Sequence, residues 1–244
     1  MPSFHIESWN AVAPGLASPD DWERWLRNPV RIDDSLGKVD LGAIPALLRR
    51  RFSVLGKSAM AAALPLVDGI ERIPSIFASR HGDTALSLTM LEGIARGDPM
   101  SPTQFSLAVH NAVSGLFSIA RKDTSAVTAI AAMDGLVLQT LFEAIGQLQD
   151  AERVMCVIYD VPLPAFYQGH RDEPAEPFPY AVAMVLGNGT GEACRLEPVS
   201  PSTPPDKPAD EFAAAGLLRL LCGIERRVIL AQGAAHWRLG RADG

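Results

Sequence analysis

The sequence predicts an α/β fold: a mixed, mostly parallel sheet with buried helices. Three observations lead there. Residues 73–79 (IPSIFAS), 125–131 (SAVTAIA) and 153–159 (RVMCVIY) are short apolar runs of strand length, set off by turn residues. Between the last two, Leu138, Leu141, Phe142, Ile145 and Leu148 recur on one face of a helix over 135–149. Strand, helix, strand in that order implies a right-handed crossover between parallel strands. The composition, 48% hydrophobic and 20% charged, fits a globular chain with a sizeable core.

The elements follow in order. Residues 4–13 (FHIESWNAVA) read as a first strand, stopped by the turn Pro14-Gly15. Residues 20–27 form a short helix with Asp20 as its cap and Trp22 and Trp25 on one packing face. After a mixed stretch, 46–66 reads as helix with a break near Gly56, carrying the basic run Arg49-Arg50-Arg51. The strand over 73–79 leads into Arg80-His81-Gly82-Asp83, and Asp83 caps a helix over 84–96. The loop GDPMSP separates it from a helix over about 103–120. Past residue 160 the chain is rich in proline and charge and reads as a loop. Residues 180–186 form a strand that turns back through Asn188-Gly189 into CRLEPV as a hairpin. The tract SPSTPPDKPAD is a surface linker, followed by a helix over 210–222, a strand over 226–231 and a polar tail.

Composition also excludes function classes. The net charge is −6 with signs mixed and no basic stripe, which argues against a nucleic-acid partner. No apolar run is long enough to span a bilayer, and MPSFHIESWN lacks the basic and apolar regions of a signal peptide, so the cytoplasm is the expected compartment. Cys156, Cys194 and Cys222 are odd in number and far apart, which predicts neither a disulfide framework nor a zinc site. Cys156 and Cys222 sit in apolar runs and read as buried hydrophobes. No metal or cofactor is expected. Ser114, Ser118 and Ser125 match no G-x-S-x-G elbow, which disfavours a serine hydrolase.

Residues 101–160 carry the specific signal. Pro102 opens the segment, and Asn111 and Gly115 lie in the helix that follows. The strand Ser125 to Ala131 runs into Ala131-Ala132-Met133-Asp134-Gly135, and Asp150-Ala151-Glu152 precedes the next strand. This order resembles the nucleophile region of β-ketoacyl synthases. Gly135 and Asp150-Ala151-Glu152 give the same register independently, and that register puts Ala132 where the family holds its reactive cysteine. A methyl group can neither attack a thioester nor carry one. A slip of one or two positions brings up Ile130, Ala131, Met133 or Asp134, none of them a thiol. The family's second pair of polar residues, used to decarboxylate malonyl carrier protein, finds no matching motif in residues 160–244. His170 and His236 read as exposed or packing histidines.

The resemblance implies a thiolase-like fold of the ketosynthase N-terminal-half type, shortened relative to full ketosynthases. It implies a single domain over 1–244, with 101–160 equivalent to the nucleophile region and 161–244 a reduced C-terminal part. It also implies a non-catalytic subunit like a chain length factor, similar to the short forms of aryl-polyene and xanthomonadin-type pigment pathways. The expected partners are a catalytic ketosynthase, as a heterodimer with a homodimer as fallback, and the acyl carrier protein of the complex. Ser125, Val127, Ala129 and Ala131 are the interface candidates. Gln104, Phe105 and Ala108 are the candidates for lining the partner's acyl tunnel, with core packing as the alternative role of Phe105. His110 and Asn111 read as structural polar residues. An active acyl-transfer enzyme with an unrecognised nucleophile, such as Ser125 or Cys156, is the competing reading.

Overall fold

The computed structural model describes residues 2–32, 39, 41–167, 176–200 and 212–242. His170 and all but Ser200 of the expected linker lie outside these residues, as do the first two residues of the helix expected over 210–222.

Eight strands form one sheet in the order β3-β2-β4-β5-β1-β6-β8-β7. They are β1 (Ser3–Val12), β2 (Ser75–Ser79), β3 (Val127–Ala131), β4 (Arg153–Asp160), β5 (Tyr180–Gly187), β6 (Glu192–Val199), β7 (Arg227–Gln232) and β8 (Ala235–Arg241). The fold class is the expected mixed α/β one, with a different balance of strand directions. Only β3-β2 and β2-β4 pair in parallel, and every other neighbouring pair is antiparallel.

The middle strands are apolar on both faces because both are covered. Ile76 and Ala78 of β2, Cys156 and Ile158 of β4, and Val182 and Met184 of β5 point to one side. There they meet the helices α1 (Pro19–Arg27), α7 (Leu136–Gln147) and α8 (Ala215–Leu221). Phe77, Met155, Val157, Ala181 and Ala183 point to the other side, against α3 (Val54–Ala63) and α6 (Ala112–Arg121). Trp22 of α1 is fully buried, and its indole N–H donates to the Ala11 carbonyl at 3.0 Å. The sheet curls around α7, which touches both β3 and β7, strands at opposite edges. No helix among the described residues is long and apolar enough to cross a membrane.

Several local expectations are corrected. The cap of α1 is Ser18 rather than Asp20: its hydroxyl accepts from the Asp21 N–H, and the Asp21 carboxylate accepts from the Ser18 N–H. This reciprocal pair satisfies two exposed donors at once. The helix expected over 46–66 breaks at residues 50–53, between the short α2 (Ala46–Arg49) and α3, where Ser53 caps α3 through the Gly56 N–H. Gly56 lies inside α3, where the Phe52 ring occupies the space of a side chain. The helix expected over 103–120 is likewise two, α5 (Pro102–Ala108) and α6. The polar tail is the strand β8, paired to β6 and β7.

The turn at Asn188-Gly189 does not close a hairpin. β5 and β6 lie on opposite sides of β1 and run in the same direction. The chain steps across β1 beside the bulge between Ile6 and Ser8. Gly191 makes the step at φ +98, with its α-carbon against the Ile6 carbonyl and no room for a side chain.

Candidate functional site

β3 is short, apolar and small because it must fit beside β2, and it stands at the edge of the sheet. Thr128 and Ile130 turn towards α7. Val127, Ala129 and Ala131 turn to the opposite face and are exposed, although α6, whose Phe117 packs on Phe77 of β2, runs alongside. Among the described residues, no strand lies beside the other hydrogen-bonding edge of β3. Ser125 lies half-buried ahead of the strand, where its N–H donates to Asp123 at 2.9 Å. Burial opposes charge on Asp123, but hydrogen bonds from Ser125 and the Ile73 N–H, with nearby Arg121, outweigh it and hold the carboxyl below its ordinary range.

At the far end of β3 the chain turns through Ala132, Met133 and Asp134 into α7. Gly135 sits ahead of the helix at φ +67 and provides no side-chain cap. Its missing side chain leaves room for Gln232, whose Cβ would lie only 2.8 Å from an added methyl. The tip of the β7–β8 hairpin thus closes on this turn: the Gly233 N–H donates to the Asp134 carboxylate, and the Gln139 amide donates to Gln232. A depression of 590 Å³ remains, lined by Ile130, Ala132, Met133, Asp134, Gln139 and Gln232 among others. Its walls carry no thiol, hydroxyl or imidazole. The head of α7 would favour an anion here, but Ala132 offers no group to ionise.

The alternative nucleophiles are not at this place. Cys156 is fully buried in β4, and burial together with the Glu143 charge pushes its thiol far up. Burial raises Cys194 to about 12 and Cys222 to about 11. Ser125 precedes β3, roughly 20 Å of extended chain from Ala132.

The tunnel candidates lie on α5. Gln104 and Phe105 are exposed, Phe105 by 55%, and Ala108 is half-buried. Phe105 is therefore not part of this chain's own core. Neither α5 nor α4 (Thr84–Arg96) buries a single residue, and Leu91, Ile94, Met100 and Val109 on and around these helices are exposed, as Phe105 is. The break between α5 and α6 is held by His110, whose Nε2 lies 3.1 Å from the Ser79 carbonyl and whose ring packs on Gly82. Asn111 precedes α6 but makes no side-chain cap, and is exposed.

Beneath His110 lies a buried polar cluster that sequence reading missed. Ser79 donates to Asp160 at 2.7 Å and accepts from the Gly82 N–H at 2.8 Å. The Arg80 N–H donates to the same carboxylate, while its guanidinium pairs with Glu176 at 3.3 Å. Burial, with Glu176 adding to it, raises Asp160 to about 7 against the pull of Ser79 and Arg80. The signal available in the sequence was Asp160 itself, an acid closing an otherwise apolar strand. The cluster ties together the ends of β2 and β4 and the break at which α5 ends.

A larger cavity of 980 Å³ lies elsewhere, between residues 41–44, the end of α3 and the end of α6. Its Arg121 is already engaged with the Val67 carbonyl at 2.9 Å. In the basic run on and after α2, Arg49 reaches the Leu41 carbonyl, and Arg50 and Arg51 are exposed.

Comparison with known proteins adds to this geometry. A family model described as the N-terminal domain of β-ketoacyl synthase matches residues 22–238. No curated protein matches the chain by sequence. Among solved structures, the complex of the ketosynthase ApeO with its chain length factor ApeC from Xenorhabdus doucetiae is similar with a TM-score of 0.81 and 26% identity, covering 98% of this chain and 99% of the matched one. The ishigamide ketosynthase/chain length factor is similar at a TM-score of 0.61 and 16% identity, over 91% of this chain and 74% of its own. A β-ketoacyl synthase from Burkholderia phymatum gives 0.59 at 10% identity, over 93% and 71%. These last two likenesses are of fold alone.

Proposed function

The chain belongs to the β-ketoacyl synthase family, and from that premise we propose that it is a non-catalytic, chain-length-factor-like subunit that pairs with a catalytic ketosynthase and shapes its acyl tunnel. The observation that carries the proposal is Ala132. It stands at the head of α7, where the family's nucleophile belongs, and none of the residues lining the depression around it is a thiol. Loss of the nucleophile within a kept scaffold fits a partner role better than a catalytic one. The similar complex of a ketosynthase with its chain length factor, matched over nearly the whole of a chain of nearly equal length, supports the same reading.

The bare face of β3 supports the pairing. A free strand edge with small apolar side chains is a liability for an isolated chain, and a two-fold-related subunit covers it most simply. Val127, Ala129 and Ala131 would lie in that contact, with Ser125 at its margin. The exposed apolar side of α4 and α5 would extend it, bringing Gln104, Phe105 and Ala108 against the partner. There a bulky group at the end of a tunnel acts as a steric stop for a stiff, apolar product. The acyl carrier protein, an acidic partner, would meet exposed cations such as Arg50 and Arg51.

The test is direct. The chain is co-purified with its ketosynthase, supplied with acyl- and malonyl-loaded carrier protein, and both subunits are weighed intact by mass spectrometry. Acyl adducts are expected on the ketosynthase alone. A covalent acyl adduct on this chain would overturn the proposal.

A further inference from the structure

On the α7 side of β3 lies a second polar cluster, one that the proposed function leaves unused. The Thr128 hydroxyl donates to Glu143 Oε1 at 3.1 Å. The Gln147 amide donates to the same oxygen at 2.8 Å and to the Thr128 hydroxyl at 3.0 Å. Every proton these three side chains own is thereby spent inside the cluster. What remains is acceptors: the second Glu143 oxygen and the Gln147 carbonyl oxygen, which is buried without a partner. No cation among the described residues pairs with Glu143.

Position gives this chemistry a consequence. The cluster hangs from Thr128, next to Ala129, the middle residue of the edge strand. If two copies of this chain joined edge to edge by a two-fold axis, their strands would run antiparallel about Ala129. The two Thr128 residues would then stand on the same face, about 8 Å apart from strand rise and spacing. Two anionic, donor-free clusters would meet near the axis, within the screening distance of physiological salt. Like charges so placed disfavour association, and buried acceptors left unpaired add to the penalty.

We infer that Thr128, Glu143 and Gln147 form a selectivity element of the β3 edge, one that rejects a second copy of this chain and accepts a ketosynthase subunit presenting an arginine or lysine there. The inference rests on the reading of β3 as the subunit contact. It makes self-pairing the disfavoured alternative.

The experiment compares wild type, Glu143→Gln, Glu143→Lys and Ala129→Glu. Self-association of the full chain is measured by sedimentation equilibrium, and affinity for the co-encoded ketosynthase by titration at low and high salt. Glu143→Gln keeps the size of the side chain and its bonds to Thr128 and Gln147, and a melting curve confirms that each variant is folded. Glu143→Gln is expected to strengthen self-association roughly tenfold or more, and Glu143→Lys to weaken the heterodimer by a similar factor. The salt dependence of the heterodimer should flatten in Glu143→Gln. If folded Glu143 variants leave both equilibria unchanged while Ala129→Glu abolishes pairing, the selectivity element is refuted and the β3 contact stands. If Ala129→Glu also changes nothing, the β3 contact itself is wrong.

Discussion

Replacing Asp160 with asparagine should make the chain less sensitive to alkaline pH. Asp160 holds its proton to about 7 in the fold, against 3.8 for an ordinary side chain. The folded state therefore binds more protons than the unfolded one across that window. The stability the group contributes is full below pH 3.8 and is lost as pH rises through 7. Integrated between pH 5 and pH 8, the loss is about 2–3 kcal/mol. For a chain of this size that is roughly 5–10 °C in melting temperature. Asparagine cannot ionise, yet it still presents an oxygen to Ser79 and to the Arg80 N–H, so the variant isolates the titration from the geometry. Tryptophan-monitored melting of both proteins from pH 5 to pH 8 reads the effect. Wild type should fall by that amount relative to Asp160→Asn, and parallel curves would mean that water reaches the cluster and Asp160 is an ordinary carboxylate.

Phe105→Ala should cost under about 1 kcal/mol, since the ring is mostly exposed in the isolated chain; in the complex it should lengthen the partner's products, as read by mass spectrometry. Unchanged product length for Phe105→Ala and for a small residue at Gln104 would remove both from the tunnel. Gly135→Ala should lower stability by about 1–3 kcal/mol, because it combines a left-handed backbone with a clash against Gln232; a neutral melting curve would show that the hairpin tip yields. Ala129→Glu should shift the complex to separate subunits on size exclusion, with a cost of several kcal/mol for an unpaired buried charge.

The parallel strands β2, β3 and β4 and the helix α7 were legible because their signals are local: apolar runs of strand length and a regular helical face. The assignment of Ala132 to the nucleophile position has a different basis: two separate landmarks in the sequence give one register, and the proposed function rests on it. What escaped depended on distant chain. Asn188-Gly189 is a good local turn signal, but the strand that returns after it is kept apart from β5 by β1, nearly the whole chain away. AHWRLGR looked like a tail because its side chains are mixed, yet its backbone completes a ladder between β6 and β7. The break before α6 carries no glycine or proline; it comes from His110 reaching Ser79 across the fold. The same holds for the site. The clasp of Gln232 and Gly233 on the turn after β3 and the meeting of Thr128 with Glu143 are tertiary facts that no spacing rule announces.

The place of β1 between β5 and β6 bears on how the chain is made. Ser3 faces Arg195 and Val12 faces Ala181, so β1 is synthesised long before the two strands it pairs with. Contacts this distant in sequence are slow to form. β2, β3 and β4, with α7 between, need only residues 75–160 and can come together early. An order of events follows in which the edge that would receive a partner exists before the sheet behind it is closed, while β1 remains unpaired. Subunits synthesised side by side would meet under those conditions, and a strand edge that discriminates among early encounters would then guard against mispairing during assembly as well as in the finished complex.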